Sequence, residues 1–132
     1  GSIEPTYHEM YCKDVIYLGF ISEERKREMM EKALLFMVPS KYESLSLVLL
    51  ESLSAGTPVI VNEDCAVLKG QCVRSKAGLY YSSYSEFSAV LDYIIANPSV
   101  YGEMRRNGMD FVKRGYNWED VTARVEEFIR EF

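Results

Sequence analysis

Residues 42–56, YESLSLVLLESLSAG, constrain this chain more than any other stretch. Most positions from 45 to 53 are aliphatic, so a helix here is apolar on nearly every side, and we predict that it is buried. Those aliphatic residues are Leu45, Leu47, Val48, Leu49, Leu50 and Leu53. Either Ser44 or Ser46 is placed to cap the first turn, and Gly56 is predicted to end the helix in a left-handed conformation.

Two carboxylates accompany this helix. At about 100° per residue, Glu51 points between Leu47 and Val48, so we predict a buried carboxylate that no polar face receives. Burying an ionised carboxyl group without a partner is costly, so a partner is expected. Glu43 precedes the helix, where free backbone amides and the helix dipole favour an anion. The combination favours a nucleotide sugar as the ligand.

Residues 39–61, PSKYESLSLVLLESLSAGTPVIV, resemble the signature of retaining glycosyltransferases with two Rossmann domains, the GT-B type of group 1. The C-terminal domain of these enzymes carries a Glu-x7-Glu motif followed by an AGTPVI turn and strand. Glu43 and Glu51 match the two motif positions. The similarity extends through VIYLGFIS before the motif, AGLYY after it, and NWEDV near the end.

The resemblance implies transfer of a hexose from a nucleoside diphosphate sugar to a hydroxyl acceptor, with retained configuration. It implies that Glu51 binds the ribose hydroxyls and that Glu43 faces the donor sugar at the reaction centre. There Glu43 would act either as a nucleophile or as an electrostatic stabiliser of positive charge on the anomeric carbon. The sequence leaves that choice open.

The resemblance also implies main-chain contacts to the donor. The diphosphate would meet the segment Ser44, Leu45, Ser46 and Leu47, where relatives carry Gly-Phe-Gly in place of Ser-Leu-Ser. Serine does not allow the close approach that glycine allows, although its hydroxyl can bind a phosphate. The base would be contacted by the main chain of Gly19, Phe20 and Ile21.

No cofactor and no metal ion are implied for the reaction. A basic pair that grips the diphosphate, and an N-terminal domain that binds the acceptor, would lie in parts of the enzyme that this chain lacks. Gly1-Ser2 resembles a protease-cleavage remnant, so residues 1–14 are expected to be a scar and an irregular leader. Residues 15–132 are expected to be a partial donor-binding domain that is inactive alone.

Alternating apolar runs and amphipathic segments predict an α/β fold. We expect a three-layer, Rossmann-like parallel sheet of about four strands, with helices on both faces and a helical C-terminus. The strands are predicted at residues 15–20, 34–39, 58–62 and 78–82. The predicted helices start at Ser22, residue 47, Ser85, residue 99 and Asn117. In the helix from Ser85, Ile95 is predicted to face inward. Residues 65–69 are expected to form one helical turn, and residues 70–76 a loop.

Ligands of parallel sheets bind beyond the carboxyl ends of the strands. That rule predicts one crevice formed by residues 19–22, 40–46 and 62–65. Lys41, Arg74 and Lys76 are weaker candidates for phosphate or acceptor contacts, because surface cations are common. Trp118 and Tyr80, Tyr81 and Tyr84 are expected to serve packing.

Composition excludes some classes of partner. The net charge of −5 argues against nucleic acid, which requires a basic surface. No apolar run is long enough to span a membrane and no signal peptide is visible, so a cytoplasmic protein is expected, with any peripheral membrane contact made by the missing domain. Cys12, Cys65 and Cys72 do not have zinc-site spacing with His8, and buried thiols are expected.

Two alternatives differ in class. The first is a non-catalytic α/β nucleotide-binding or receiver-like interaction domain. Receivers hold magnesium with clustered carboxylates at strand ends, and only Glu63-Asp64 approaches that pattern. The second is an epimerase or a phosphorylase of similar fold, for which no lysine in a suitable context for pyridoxal phosphate is evident.

Overall fold

A computed structural model describes residues 14–115 together with Glu127, Ile129 and Arg130. In the described part of the chain, helices and strands alternate as predicted for an α/β protein. In chain order the elements are α1 (Glu23–Lys32), β1 (Phe36–Val38), α2 (Leu47–Ser54), β2 (Val59–Asn62), α3 (Ala66–Ser75), β3 (Gly78–Tyr81), α4 (Tyr84–Ala96) and α5 (Pro98–Gly115). The residues 1–13 and the helix predicted from Asn117 lie outside the described residues, apart from the three named above.

The strands form one parallel sheet in the order β1-β2-β3. Val38 lies beside Val61, and both point to the face that packs on α2 and α3. Ile60 points to the opposite face and is 1% exposed, whereas its neighbour Met37 is 43% exposed. The sheet is therefore covered on both faces at its centre and is more open at β1. The predicted Rossmann-like α/β fold is confirmed.

The core is built mainly by α2. Leu49, Leu50 and Leu53 lie on one side of this helix and pack against Val38 and Val59. The cluster is completed by Val61, Cys65, Leu68, Cys72 and Ala77. Removing such side chains from water is the main force that stabilises a domain of this size.

Helix α5 binds the loops that enter the strands. The Tyr101 hydroxyl donates to the carbonyl of Leu34, 2.7 Å away, just before β1. Arg105 Nε donates to the carbonyl of Gly56 before β2 (2.9 Å). Asn107 Nδ2 donates to the carbonyl of Lys76 before β3 (3.1 Å). One helix thus satisfies a carbonyl in the loop before each strand, at the amino edge of the sheet.

Two glycines allow this arrangement. Gly56 has φ +83°, the left-handed conformation predicted for the end of α2. Gly108 lies where α5 crosses α2, and a Cβ there would be 3.0 Å from Ala77 Cβ and 3.1 Å from Leu53 Cδ2. The close approach of α5 therefore depends on the missing side chain at position 108.

The first of the four predicted strands, at residues 15–20, is wrong. Residues 15–20 are irregular, with Ile16 79% and Phe20 88% exposed. The sheet of the described residues has three strands, and none of them pairs with this segment. Because an unpaired strand leaves its backbone groups without partners, apolar composition alone does not make a strand there.

Residues 65–76 also differ from the prediction. Instead of one helical turn and a loop, they form the ten-residue helix α3. Leu68 and Cys72, one turn apart, are 0% and 1% exposed and pack on the sheet. That packing offsets the weak helical preference of Gly70 within the sequence AVLKGQCVRS.

Helix α4 begins at Tyr84, one residue before the predicted start at Ser85. Ser83 caps it by accepting a hydrogen bond from the Glu86 amide, 3.2 Å away. The buried residue of its inner face is Ile94, at 2% exposed. Ile95, predicted inward, is 64% exposed because it lies 100° around the helix from Ile94.

Candidate functional site

A cleft of about 650 Å³ opens at the carboxyl edge of the sheet. It lies between the loop that follows β1 and the loop that follows β2, where parallel α/β proteins bind ligands. Its walls are formed by Lys41, Tyr42, Glu43, Ser44, Asp64, Cys65, Ala66 and Val67. The predicted meeting of residues 40–46 with residues 62–65 is confirmed.

Asn62, the last residue of β2, connects the two loops. Its Nδ2 donates to the carbonyl of Pro39 (3.4 Å), and its Oδ1 accepts from the Asp64 amide (2.9 Å). At the rim, Lys41 Nζ lies 3.9 Å from Asp64 Oδ2, and both side chains are more than half exposed. The base of the cleft is therefore fixed by hydrogen bonds, whereas the ion pair at its rim is long and solvated.

Glu43 and Ser44 share this cleft. The Glu43 side chain is half-buried, and the Ser44 side chain is exposed. Both residues lie in the loop that leads into α2, close to the start of that helix. The sequence singled out both residues, and the structure brings them together with Asp64, which the sequence placed in the same crevice and also in a receiver-like pair with Glu63.

The start of α2 is capped by Ser46. Ser46 Oγ accepts from the amide of Leu49 (3.2 Å), and the residue is 3% exposed, so Ser46 rather than Ser44 is the cap. No acidic residue lies in the first turn of α2. The side chains of Leu45 and Leu47 are 48% and 65% exposed. The first turn of α2, where amides lack helical acceptors, therefore lies at the surface.

Glu51 is not the buried carboxylate that the sequence predicted. Its side chain is 45% exposed, and its Oε2 lies 2.9 Å from Lys26 Nζ. Glu51 and Leu47 are four residues apart and share the outer side of α2, while Leu50 and Leu53 face the core. The helix is therefore not buried on all sides, and the polar partner comes from the neighbouring helix α1.

Sequence reasoning missed Lys26. This lysine also lies 2.8 Å from Glu23 Oε2, and the hydrogen bonds to Glu23 and Glu51 raise its pKa above 10.5. Lys26 and Glu51 line a small depression of about 230 Å³ between α1 and α2. The signal was present in the cluster of alternating charges after Ser22, but nothing in it identified Glu51 as the partner.

The two motif glutamates line different depressions. Glu43 lies in the cleft between the β1 and β2 loops, whereas Glu51 lies between α1 and α2. Gly19, Phe20 and Ile21 line neither of these and lie just before the capping residue of α1. Gly19 has φ +62°, and Phe20 and Ile21 are exposed. The structure thus joins two of the three predicted segments, and residues 19–22 are not part of that cleft.

Among the weaker candidates, only Lys41 lies at the cleft. Arg74 is in the last turn of α3, and Lys76 follows that helix in a left-handed conformation. Because α3 runs back from the carboxyl edge, its end lies at the amino edge of the sheet. Arg74 and Lys76 are therefore on the wrong side of the sheet for a ligand in the cleft.

Tyrosines and thiols have mainly structural surroundings. Tyr81 packs edge-to-face on Phe87 with ring centroids 5.4 Å apart, and Lys69 Nζ lies 4.6 Å from the Tyr80 ring centre. Tyr84 is 83% exposed, so its predicted packing role is wrong. Cys65 and Cys72 are buried free thiols as expected, and burial raises the pKa of Cys72 to about 12. Cys12 and Trp118 lie outside the described residues.

In the described part of the chain, no group of three or more acidic, histidine or cysteine side chains is placed to hold a metal ion, and no helix could cross a bilayer.

Comparison with known proteins finds similar sequences. The chain is 24% identical over 131 residues to an MMP alpha-(1->4)-mannosyltransferase of Mycolicibacterium hassiacum, covering 95% of this chain and 31% of that protein. It is 38% identical over 48 residues to an uncharacterized glycosyltransferase of Methanocaldococcus jannaschii, covering 36% of this chain and 12% of that protein.

A solved structure is also similar. Sucrose-phosphate synthase from Thermosynechococcus elongatus superposes with a TM-score of 0.83 at 26% identity, covering 96% of this chain and 32% of that one. The chain thus spans about a third of the length of the mannosyltransferase and of the synthase. Residues 5–118 match the family described as Glycosyl transferases group 1. Because that match includes most of its residues, the chain belongs to this glycosyltransferase family.

Proposed function

We propose that this chain is the donor-binding part of a retaining glycosyltransferase that moves a hexose from a nucleoside diphosphate sugar to a hydroxyl acceptor. The observation that carries the proposal is the cleft of about 650 Å³ at the carboxyl edge, which holds Glu43 beside the start of α2. In this proposal the chain corresponds to the C-terminal domain of a longer enzyme. The acceptor is bound by another part of that enzyme, so the chain alone transfers no sugar.

The start of α2 suits the anionic diphosphate. The first-turn amides of Leu47 and Val48 have no helical acceptors, and the helix dipole favours negative charge at this end. No carboxylate in the first turn of α2 opposes an anion, and Lys41 lines the cleft nearby. In this proposal the diphosphate is held by main-chain amides and by Lys41, and no metal ion is required.

Glu43 acts on the sugar. Its carboxylate is half-buried in the cleft, one residue before the exposed Ser44 and a few residues before the phosphate-binding amides. A sugar attached to a diphosphate at the start of α2 would therefore extend toward Glu43. A negative charge there stabilises the positive charge that develops on the anomeric carbon during transfer. Glu51 lines the separate depression between α1 and α2, and the proposal places the ribose of the same donor there.

The relatives support a hexose as the transferred unit. One of them is named for transfer of mannose and the other for synthesis of sucrose phosphate. Both names describe chemistry on hexoses. The proposal therefore specifies a hexose and a nucleoside diphosphate and leaves the base to experiment.

The test is an amide NMR titration of the chain with uridine, guanosine and adenosine diphosphates and with the matching glucose and mannose donors. We expect one nucleotide to shift the amides of residues 43–48 and those around Glu51, while amides of α5 stay unchanged. Glu43→Gln should leave the affinity for the nucleotide unchanged and remove any gain in affinity that the sugar provides. Glu103→Gln, at an exposed position of α5, is the matched control.

Three results would count against this function. The absence of shifts with every nucleotide and every sugar donor would show that the chain holds no donor site. Shifts confined to the amino edge would place the site elsewhere and favour a different ligand. Binding of the nucleotide without any contribution from the sugar, in wild type as in Glu43→Gln, would indicate a nucleotide-binding module with no role in transfer.

A further inference from the structure

Lys26 connects two helices through two carboxylates. Its Nζ lies 2.9 Å from Glu51 Oε2 on α2 and 2.8 Å from Glu23 Oε2 on its own helix α1. The Lys26 side chain is 29% exposed, compared with 45% for Glu51 and 85% for Glu23. The pair with Glu51 is therefore the more sheltered of the two, and it joins elements that are distant in sequence.

The position of Lys26 is fixed by the packing of α1. Met30, one turn further along this helix, is 5% exposed, and its carbonyl accepts a hydrogen bond from the hydroxyl of Thr57. Thr57 is itself buried directly after α2, and Ser52 Oγ donates to its carbonyl (2.9 Å). This buried connection holds α1 against α2, so the Lys26 ammonium approaches Glu51 from a defined direction.

The contact with Lys26 leaves part of the Glu51 carboxylate accessible. Lys26 occupies Oε2, and an ionised carboxylate can accept hydrogen bonds at both oxygens. The Glu51 side chain is 45% exposed, so a ligand can reach the carboxylate while Lys26 stays bound to Oε2. The depression that this carboxylate lines, together with Glu23, Lys26, Arg27 and Met30, has a volume of about 230 Å³.

We propose that Lys26 is a positioning residue for donor binding, which holds Glu51 by one oxygen so that the other accepts a hydroxyl of the donor ribose. This inference rests on the proposed function and adds a residue to it. A glutamate that is free in solution samples many rotamers, and each must be lost when it binds a ligand. Lys26 restricts the Glu51 side chain before the donor arrives, so less conformational entropy is lost on binding and the affinity for the donor is higher.

A purely structural ion pair would behave differently. Exposed ion pairs contribute little to folding stability, so removing one changes neither the fold nor the affinity for a ligand bound elsewhere. If Lys26 only joined α1 to α2, its loss would affect all ligands of the chain equally or not at all. A positioning role requires an effect that depends on the ribose hydroxyls.

The experiment measures dissociation constants by NMR titration for the nucleoside diphosphate that binds best and for its 2′,3′-dideoxy analogue. Lys26→Met removes the charge, Lys26→Arg keeps it, and Glu23→Gln is the matched control that leaves Lys26 paired with Glu51. Glu51→Gln reports the contribution of the carboxylate itself. Amide spectra and thermal unfolding of each variant verify that the fold is unchanged.

We expect Lys26→Met to weaken binding of the nucleoside diphosphate by about tenfold, the effect of one charge-assisted hydrogen bond that is no longer well oriented. The dideoxy analogue should bind Lys26→Met and wild type equally. Lys26→Arg should bind nearly as well as wild type, and Glu23→Gln should be unchanged. Lys26→Met combined with Glu51→Gln should bind no more weakly than Glu51→Gln alone, because both changes remove the same contact.

The outcomes separate the inference from the proposed function. If wild type prefers the ribose form and Glu51→Gln loses that preference, but Lys26→Met keeps it, the positioning role is wrong and the donor site stands. An equal loss with both ligands in Lys26→Met would show a general structural effect and also overturn the inference. If wild type does not distinguish the two ligands, the ribose role of Glu51 fails, and the inference fails with it.

Discussion

The two edges of the sheet are built in different ways. At the amino edge, α5 donates a hydrogen bond to the loop before every strand of the described sheet, and Gly108 lets it approach α2 closely. At the carboxyl edge, two loops leave a cleft of about 650 Å³ between them, with Tyr42 91% exposed on its wall. The amino edge is satisfied by the protein itself, whereas the carboxyl edge presents groups that a ligand can use.

Helix α2 passes from one edge to the other and shows the difference within eight residues. Its first residue, Leu47, is 65% exposed beside the cleft, whereas Leu53 near its end is 1% exposed under Gly108. Leu47 and Leu53 are the same type of residue, so composition does not explain their different exposure. The difference comes from the side of α2 that each residue occupies, because Leu47 lies on the outer side with Glu51 and Leu53 faces the core. Stability and ligand binding can therefore be changed independently.

The largest effect is expected for Leu53→Ala at the amino edge. Removing a fully buried leucine leaves a cavity against Ala77 and Gly108, so the free energy of unfolding should fall by about 2–5 kcal/mol. Urea denaturation measures this change. Leu47→Ala on the same helix is the control and should cost less than about 0.5 kcal/mol because the side chain is exposed. Similar losses in both variants would contradict the difference between the core side and the outer side of α2.

A smaller loss of stability is expected for Arg105→Met. Arg105 Nε donates to the carbonyl of Gly56, and the variant leaves that buried acceptor without this partner. The free energy of unfolding should fall by about 1–2 kcal/mol, and affinity for the nucleotide should not change. Arg106→Met removes the same charge from an exposed neighbouring position and should leave stability unchanged. A loss of nucleotide affinity in Arg105→Met would show that the two edges are coupled.

Ser46→Ala tests whether the carboxyl edge also contributes to stability. The serine caps α2 by accepting from the Leu49 amide, and its loss should cost about 0.5–2 kcal/mol. Ser44→Ala is the control, since Ser44 is exposed and is not the cap. Equal stability of Ser46→Ala and wild type would mean that the cap is dispensable. A larger loss in Ser44→Ala would restore the alternative that the sequence left open.

The sequence predicted the elements whose signals are local. The apolar runs at β2 and β3, the Ser22 cap and the left-handed Gly56 were all found, because each depends on a few adjacent residues. Helix α3 was missed, since Gly70 weakens its local preference and the packing of Leu68 on the sheet decides its structure. The strand predicted at residues 15–20 failed for the opposite reason, because apolar residues without a neighbouring strand do not form one.

The site was predicted in part for the same physical reason. The rule that parallel strands end at one edge places Glu43 near Asp64, and the structure confirms it. The burial of Glu51 was predicted from the helix alone, whereas its exposure and its pairing with Lys26 depend on how α1 packs against α2. Contacts between elements distant in sequence are therefore what the single sequence did not reveal.

The smallest predicted effect concerns the turn from β3 to α4 at the carboxyl edge. In this turn Ser82 and Glu86 hydrogen-bond to each other and not to α5. Glu86 accepts hydrogen bonds from the Ser82 hydroxyl and from the Ser82 amide, 2.6 Å away, and these bonds hold the Glu86 pKa below 4.5. Because the folded pKa is lowered, the stabilisation is present above the ordinary pKa of glutamate and is lost as pH falls through the folded pKa. Ser82→Ala should raise the Glu86 pKa toward 4.5, as measured by NMR titration of its side-chain carboxyl carbon. Ser85→Ala removes an exposed hydroxyl from the same turn and should leave the Glu86 pKa unchanged. An unchanged Glu86 pKa in Ser82→Ala would show that the Ser82 amide alone holds the carboxylate.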